Sequence, residues 1–228
     1  MSKRTVGMIP IKMNNTRLPG KNIKPLGENK VLCQYLFKTL IDVKQIDEVY
    51  VYCSDEKIKK YIPHDFHFLK RPKWLDGDEV KSRDILHEFI TEIDADIYAL
   101  MHVTQPFLSA EHIDQVVEQV KCGVYDSGFA AREIKEFTWY GGHPINYSLD
   151  DVVRTQELQP VYVEGELFVF EKKVFTELGR RIGEKPYIQP ITWEESICID
   201  EEEDFRMALA ALKLRQSYSE RKEKGGGF

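Results

Sequence analysis

Short apolar, β-branched runs alternate along this chain with segments whose apolar residues recur every three or four positions, and few folds accommodate that alternation. "TVGMIPI" (5–11) stops at a polar loop, as a buried parallel strand does. A helical period follows over 31–43, a strand pattern over 47–54, a short helix over 55–62 with Ser54 as its cap, and a third short strand in "HFLKRP" (67–72). Ile85, Leu86, Phe89, Ile90 and Ile93 share one helix face, and 96–103 reads as strand. Ile113, Val116, Val117 and Val120 share the next helix face, and "YDSGFAA" (125–131) reads as a fifth strand. The pattern predicts an α/β fold with a doubly wound, mostly parallel, Rossmann-like sheet, whose ligands lie outside the carboxyl ends of the strands.

The rhythm breaks over 132–160, where "FTWYGGHPINYSLDD" brings Gly-Gly, proline and aromatics, so an irregular or hairpin-like insertion is expected. Regular structure is expected again in 161–175 and in "ESICID" (195–200), before a closing helix that turns Phe205, Ala208, Leu209 and Leu212 inward. A chain of 228 residues, 42% of them hydrophobic, can bury one substantial core. The expectation is a single domain over 1–220 with a flexible tail over 221–228.

The net charge of -6 and pI near 5.6 argue against a nucleic-acid or membrane-surface binder, leaving a small molecule as the expected partner. Cys33, Cys53, Cys122 and Cys198 form no CxxC pair, which speaks against a disulfide framework or a structural zinc site and fits a reduced, cytoplasmic setting. No apolar run approaches the roughly 20 residues of a membrane span, and "MSKRTVGMIPIKMNN" lacks the h-region of a signal peptide. Charge is unevenly placed: seven cations against Glu28 alone in residues 1–30, and seven acids with no cation in 194–204. A phosphorylated substrate and a divalent metal would suit those two ends.

The loop "NNTRLPGKNI" (14–23) has neither the GxGxxG nor the GxxxxGK[ST] spacing. Its chemistry is similar, because Gly20 lets backbone N–H groups approach a ligand while Arg17 and Lys21 neutralise phosphate oxygens. A solvated loop around a Pro-Gly turn satisfies the spacing equally.

"IPIKMNNTRLPGKNIKPLG" (9–27) resembles the opening of the cytidylyltransferases that activate acylneuraminates and 3-deoxy-manno-octulosonate, approximately IPAR, two variable residues, then S[KT]R[LI]PGK. "VYCSDEKI" is similar to that family's VSTDDEEI, "KRPKWLDGDEVKSRDIL" to its RRPxxLAxDxASSxDxL, and "HVTQPFLSAEHID" to its QATSPFLTPEDID. "RTQELQPVYVEGELFVF" resembles RRQDLPPxYxENGAFYIF, and "SICIDEEEDF" resembles SIDIDTEEDF. Six collinear matches carry the resemblance over most of the chain.

The resemblance implies a nucleotidyltransferase fold with an inserted dimerisation or acceptor segment, a homodimer, and transfer of CMP from CTP to a sugar acid of the 2-keto-3-deoxy type, with release of pyrophosphate, in polysaccharide biosynthesis. By position it implies that Lys21, Arg17 and Lys12 act on the phosphates. Lys12 stands where the family has arginine, keeping the charge without the bidentate fork. Asn15, Thr16 and Gly20 fall in the nucleotide loop, and Asn22, Arg71 and Ser82 near the cytosine. His102, Gln105, Arg154, Gln156 and Glu164 fall on the acceptor side, with Arg154 as the expected carboxylate clamp.

Asp200 is the implied ligand for Mg²⁺ (Mn²⁺ also suits), although Cys198 replaces the first aspartate of the family's IDID pair. Asp200 could instead cap the final helix, and Cys198 with His102 could form a softer site for Mn²⁺ or Zn²⁺. "EGE" in place of the usual ENG adds a negative charge beside the acceptor, which calls for a balancing cation or a different acceptor, such as another keto acid sugar, a phosphonate or a phosphate. Two other readings are a nucleotide-binding homologue without turnover and a nucleotidyltransferase that uses another base.

Overall fold

The alternation of buried strands and one-faced helices produces, in order, β1 (Thr5–Ile11), α1 (Cys33–Ile41), β2 (Glu48–Cys53), β3 (His67–Lys70), α2 (Ser82–Glu92), β4 (Ile97–Met101) and α3 (Ala110–Lys121). There follow β5 (Ser127–Ile134), β6 (Trp139–Tyr140), β7 (His143–Pro144), β8 (Val161–Glu171), α4 (Lys172–Leu178), β9 (Pro186–Ile191) and α5 (Glu202–Glu223). This computed structural model describes residues 3–27 and 30–223. The end of the expected tail, 224–228, lies outside the described residues, whereas 221–223 continue α5. Among the described residues no helix is long and apolar enough to cross a membrane.

The main sheet has seven strands in the order β3-β2-β1-β4-β8-β5-β9. All its pairings are parallel except those of β8, which runs antiparallel between β4 and β5. One consequence positions the site. The carboxyl ends of β1, β2, β3, β4, β5 and β9 and the amino-terminal half of β8 all reach the same sheet edge.

Two apolar layers sandwich the sheet: Ile9, Ile11 and Val51 pack with α1 and α3 on one face, and Val6, Met8 and Tyr98 pack with α2 and α4 on the other. A third cluster joins Leu18 and Leu26 of the first loop to Ile197, Ile199 and Phe205, so α5 pins the nucleotide-like loop from below. Phe205 and Ala208 are buried as expected, with Leu209 and Leu212 packed at the margin.

Two local expectations need correction. Ser54 does not cap the turn at Glu56–Tyr61; that turn is 3-10, and Asp55 caps it by accepting from the Lys57 N–H at 2.9 Å. The Ser54 hydroxyl donates instead to Asp76.

"ESICID" is not regular structure: its backbone meets the strand-end loops through single contacts, Ile199 N–H to Thr104 O at 2.8 Å, Gln105 Nε2 to Glu195 O at 2.7 Å and Lys21 Nζ to Ile199 O at 2.9 Å. The alternation there reflects Ile197 and Ile199 pointing into the α5 cluster, without a ladder. The strand that does occupy this region, β9, is masked in sequence by Pro186 and Pro190 in "PYIQPI". It is an edge strand paired only with β5, where proline is tolerated.

The 132–160 excursion begins as the tail of β5, forms the small β6–β7 hairpin, and ends in a 3-10 turn at Thr155–Glu157. Phe137, Trp139, Tyr140 and Ile145 are exposed on it. Trp139 Nε1 donates to Tyr147 OH at 2.8 Å, and Phe137 packs edge-on to the same Tyr147 ring.

Candidate active site

The loop leaving β1 turns at Gly20, whose φ of 66° lies in the left-handed region that side chains resist. A Cβ there would meet no atom within 4 Å, so the backbone, and not crowding, demands the glycine. The turn drops Lys21 and Asn22 into the protein and leaves Thr16 and Arg17 exposed. The buried Lys21 ammonium donates to Ile199 O at 2.9 Å and to Asp200 Oδ1 at 2.7 Å, and the Arg17 guanidinium lies 3.0 Å from the same oxygen. The basic first loop and the acidic 194–204 segment therefore meet. Lys24 extends the meeting by pairing with Glu202 at 2.6 Å.

Burial pushes the Asp200 carboxyl up, but Lys21 and then Arg17 outweigh it and hold it below the usual carboxylate range. Asp200 does not cap α5: the N–H groups of Asp200 and Glu201 donate to Asp204 Oδ2 at 3.0 and 2.9 Å, and Asp204 takes that task.

Asn22 Nδ2 donates to Lys12 O at 2.8 Å, tying the loop to the end of β1. Lys12 itself pairs with Asp78 at 2.9 Å across the mouth between β1 and the segment after β3. Arg71, just past β3, is 2% exposed and pairs with Asp76, which also accepts from Ser54. Three polar atoms in this zone are buried without a partner among the described residues: Asn15 Oδ1, Asn22 Oδ1 and Arg71 Nε. Buried polar atoms are nearly always paired, so three such atoms contributed by one loop and the neighbouring strand end mark a ligand surface. Ser82 opens α2 on the exposed side.

On the other side of Asp200, His102 follows β4, and its Nδ1 lies 2.7 Å from Glu166 Oε2 on the antiparallel neighbour β8. The oxygen sits off the ring N–H axis, making this a charge contact more than an aligned hydrogen bond. Cys198 Sγ approaches the other Glu166 oxygen at 3.7 Å. Burial raises the Glu166 carboxyl, but His102 and then Arg181 prevail and lower it. Burial, followed by the Glu166 charge, pushes the Cys198 thiol up to about 12, so it stays protonated. The balancing cation for "EGE" is thus Arg181, which lowers Glu166 and lies 3.6 Å from Glu164.

Of the acceptor-side residues, Gln105 is buried and both ends of its amide are committed, Nε2 to Glu195 O and Oε1 to the Glu166 N–H, each at 2.7 Å. It braces the site and does not face it. Arg154 is exposed on the 3-10 turn and bonded to Glu157 at 2.7 Å, with Gln156 exposed beside it. Neither meets Asp200 or His102. The cation that does line a cleft of about 250 Å³ with Glu164 and Cys198 is Arg132, on β5, which has no side-chain partner among the described residues.

Glu166, Arg132, Asp76 and Arg181 were not reached from the sequence. The misfit at "EGE" was the one visible signal, since the acid it adds to the usual ENG is Glu166 itself. Among the described residues no group of three or more His, Cys, Asp and Glu is placed to hold a metal, so Cys198 and His102 do not assemble a soft site of that kind.

A family model described as cytidylyltransferase matches residues 6–221. The chain belongs to the cytidylyltransferase family. A search of curated proteins by sequence gives no significant match. Among solved structures, CMP:2-keto-3-deoxy-manno-octonic acid synthetase complexed with CTP shares the fold at a TM-score of 0.69 and 13% identity, covering 93% of this chain and 99% of that one. The 4-diphosphocytidyl-2C-methyl-D-erythritol synthase of Anaerococcus prevotii does so at 0.68 and 15%, covering 92% and 96%. This cytidylyltransferase accordingly uses a cytidine nucleotide as donor and carries the nucleotidyltransferase form of the α/β sheet.

Proposed function

We propose that this cytidylyltransferase moves CMP from CTP to a sugar acid of the 2-keto-3-deoxy type, releasing pyrophosphate. The observation that carries the reading is the set of unpartnered buried atoms Asn15 Oδ1, Asn22 Oδ1 and Arg71 Nε beside the cations Lys21 and Arg17. Two acceptors and one donor suit the hydrogen-bonding groups of cytosine and ribose, and the cations suit a triphosphate. Transfer to phosphorus asks mainly for alignment and charge neutralisation, and a buried ammonium with an adjacent guanidinium supplies the second. Retention of these groups together favours turnover over a binding module.

Asp200 fits Mg²⁺ as a single carboxylate ligand, because this ion commonly takes one or two carboxylates and completes its shell with substrate phosphates and water. Such an ion would supply positive charge against the phosphates. The protonated Cys198 adds no hard donor. On the acceptor side, Arg132 is the better clamp for a carboxylate than Arg154, whose guanidinium is already bonded to Glu157. The exposed aromatics of the 137–147 hairpin support a homodimer contact, and four free cysteines support a reduced compartment.

The test is a pyrophosphate-release screen that pairs CTP and the other nucleoside triphosphates with keto acid sugars, sugar phosphates and phosphonates under Mg²⁺ and Mn²⁺. Release only with CTP and a keto acid sugar supports the reading; release only with another base or with no acceptor at all refutes it.

A further inference from the structure

His102 stands at the carboxyl end of β4 with its side chain 26% exposed, next to the segment that carries Asp200. Its Nδ1 is buried against Glu166, whereas Nε2 has no partner among the described residues. A carboxylate at Nδ1 favours the tautomer protonated there, which leaves the lone pair on Nε2. The support behind the ring is closely built. The His102 N–H donates to Glu166 O at 3.2 Å, the Glu166 N–H donates to Gln105, and Cys198 sits at the second carboxylate oxygen.

The register of β8 against β5 shifts between Phe129 and Ala131, so β8 bulges through Gly165 and Glu166. A Cβ at Gly165 would come within 3.0 Å of the Gln105 amide, so glycine permits the close approach that holds Glu166 in place. The charged or titratable groups around this pair are Arg181 beyond α4, Cys198 and Asp200 from the segment before α5, and Lys21 from the first loop.

We propose that His102 is the general base of the transfer, accepting at Nε2 the proton of an acceptor hydroxyl, with Glu166 as its positioning residue. The inference rests on the cytidylyltransferase reading of the site and narrows the nucleophile to a hydroxyl group. The acceptor oxygen forms a bond to the α-phosphorus of CTP, and the bond from that phosphorus to the bridging oxygen breaks. Its electron pair leaves with pyrophosphate. The hydroxyl proton passes to Nε2, giving an imidazolium neutralised by Glu166, and is returned to water after the products leave. A phosphate or phosphonate nucleophile is already ionised at neutral pH and offers no proton worth taking. The pair is therefore useful only with a hydroxyl acceptor.

The experiment compares wild type, His102→Gln, His102→Ala and Glu166→Gln. CTP affinity is measured by calorimetry, and pyrophosphate release is followed across the histidine titration range with 2-keto-3-deoxy sugar acids, a sugar phosphate and an alkylphosphonate. The expected wild type uses the sugar acids alone, and its kcat/KM for the acceptor falls on the acid side, where a histidine base is protonated. His102→Gln keeps CTP affinity, loses about 10²–10⁴-fold in rate and loses the acid limb. Free imidazole restores part of the rate to His102→Ala. Glu166→Gln lowers the rate less and moves the acid limb to lower pH.

A His102→Gln enzyme with the wild-type rate and pH profile, or wild-type turnover of the phosphate and phosphonate as good as that of the sugar acids, would overturn this inference alone. Absence of pyrophosphate release from the wild type with every acceptor would overturn the functional reading and this inference together.

Discussion

The Lys21 ammonium lies 2.7 Å from the Asp200 carboxylate, 179 residues further along the chain. That contact closes the site: it draws the loop after β1 onto the segment before α5 and places a buried cation where the carboxyl ends of the strands converge.

Lys21→Ala removes a preorganised cation, and turnover should fall by about 10²–10³, the scale of other charge-stabilising donors. The same change strips a donor from Ile199 O and one of the two cations that support Asp200, so stability should fall by about 1–3 kcal/mol. Steady-state rates and urea unfolding separate the two losses. An unchanged rate would remove Lys21 from the phosphate site.

Arg132→Ala should raise KM for a sugar acid by about tenfold or more while leaving CTP affinity alone, as expected for loss of a charge-assisted contact of about 1.5–3 kcal/mol. Arg154→Ala should change neither value, because its guanidinium is exposed and engaged with Glu157. A KM effect at Arg154 with none at Arg132 would reverse the assignment.

The fold was legible because the continuous buried runs of β1 and β4 and the 3.6-residue periods of α1 and α3 are uninterrupted, so burial decides each residue. β9 was not, since prolines on an edge strand imitate a loop, and the one-sided burial of "ESICID" imitates regular structure. At the site, Lys21 and Arg17 were visible from one short loop. The partnership of Glu166 with His102 and Cys198 was not, because it joins three segments through a bulge that local pattern does not encode. Gln105 shows the converse limit: its position suggested a substrate contact, but its amide is spent on backbone.

Cys198→Asp places a carboxylate against Glu166, within the field of Asp200. Alone it should destabilise the protein, and Cys198→Asp with Glu166→Gly, which removes the opposing charge, should recover the loss. The double-mutant cycle by urea unfolding should give a coupling of about 0.5–3 kcal/mol. Additive effects would show that the two side chains do not interact.

Glu195 binds the Ser109 N–H and His112 through Oε1 and the Thr192 N–H and hydroxyl through Oε2, bracing α3 to the loop that leads to Asp200. Burial raises its carboxyl, but the bonds from Ser109, Thr192 and His112 prevail and lower it. A depressed carboxyl contributes stability that is full above the unfolded value of about 4.5 and is lost as pH falls through the lower folded value. Glu195→Gln should therefore be less stable than wild type by about 1–3 kcal/mol at neutral pH, with the gap closing in acid. Denaturant titrations on both sides of that range check the sign; a gap that widens in acid would contradict it.

The central claim is that the Arg17–Lys21 loop grips the triphosphate of CTP, and calorimetric titration of CTP into wild type and Lys21→Ala side by side tests it most directly. Saturable binding to the wild type that weakens at least tenfold in the variant, the scale of a lost charge-assisted bond, is the predicted result. Equal affinities, or no heat from the wild type at millimolar CTP, would contradict it.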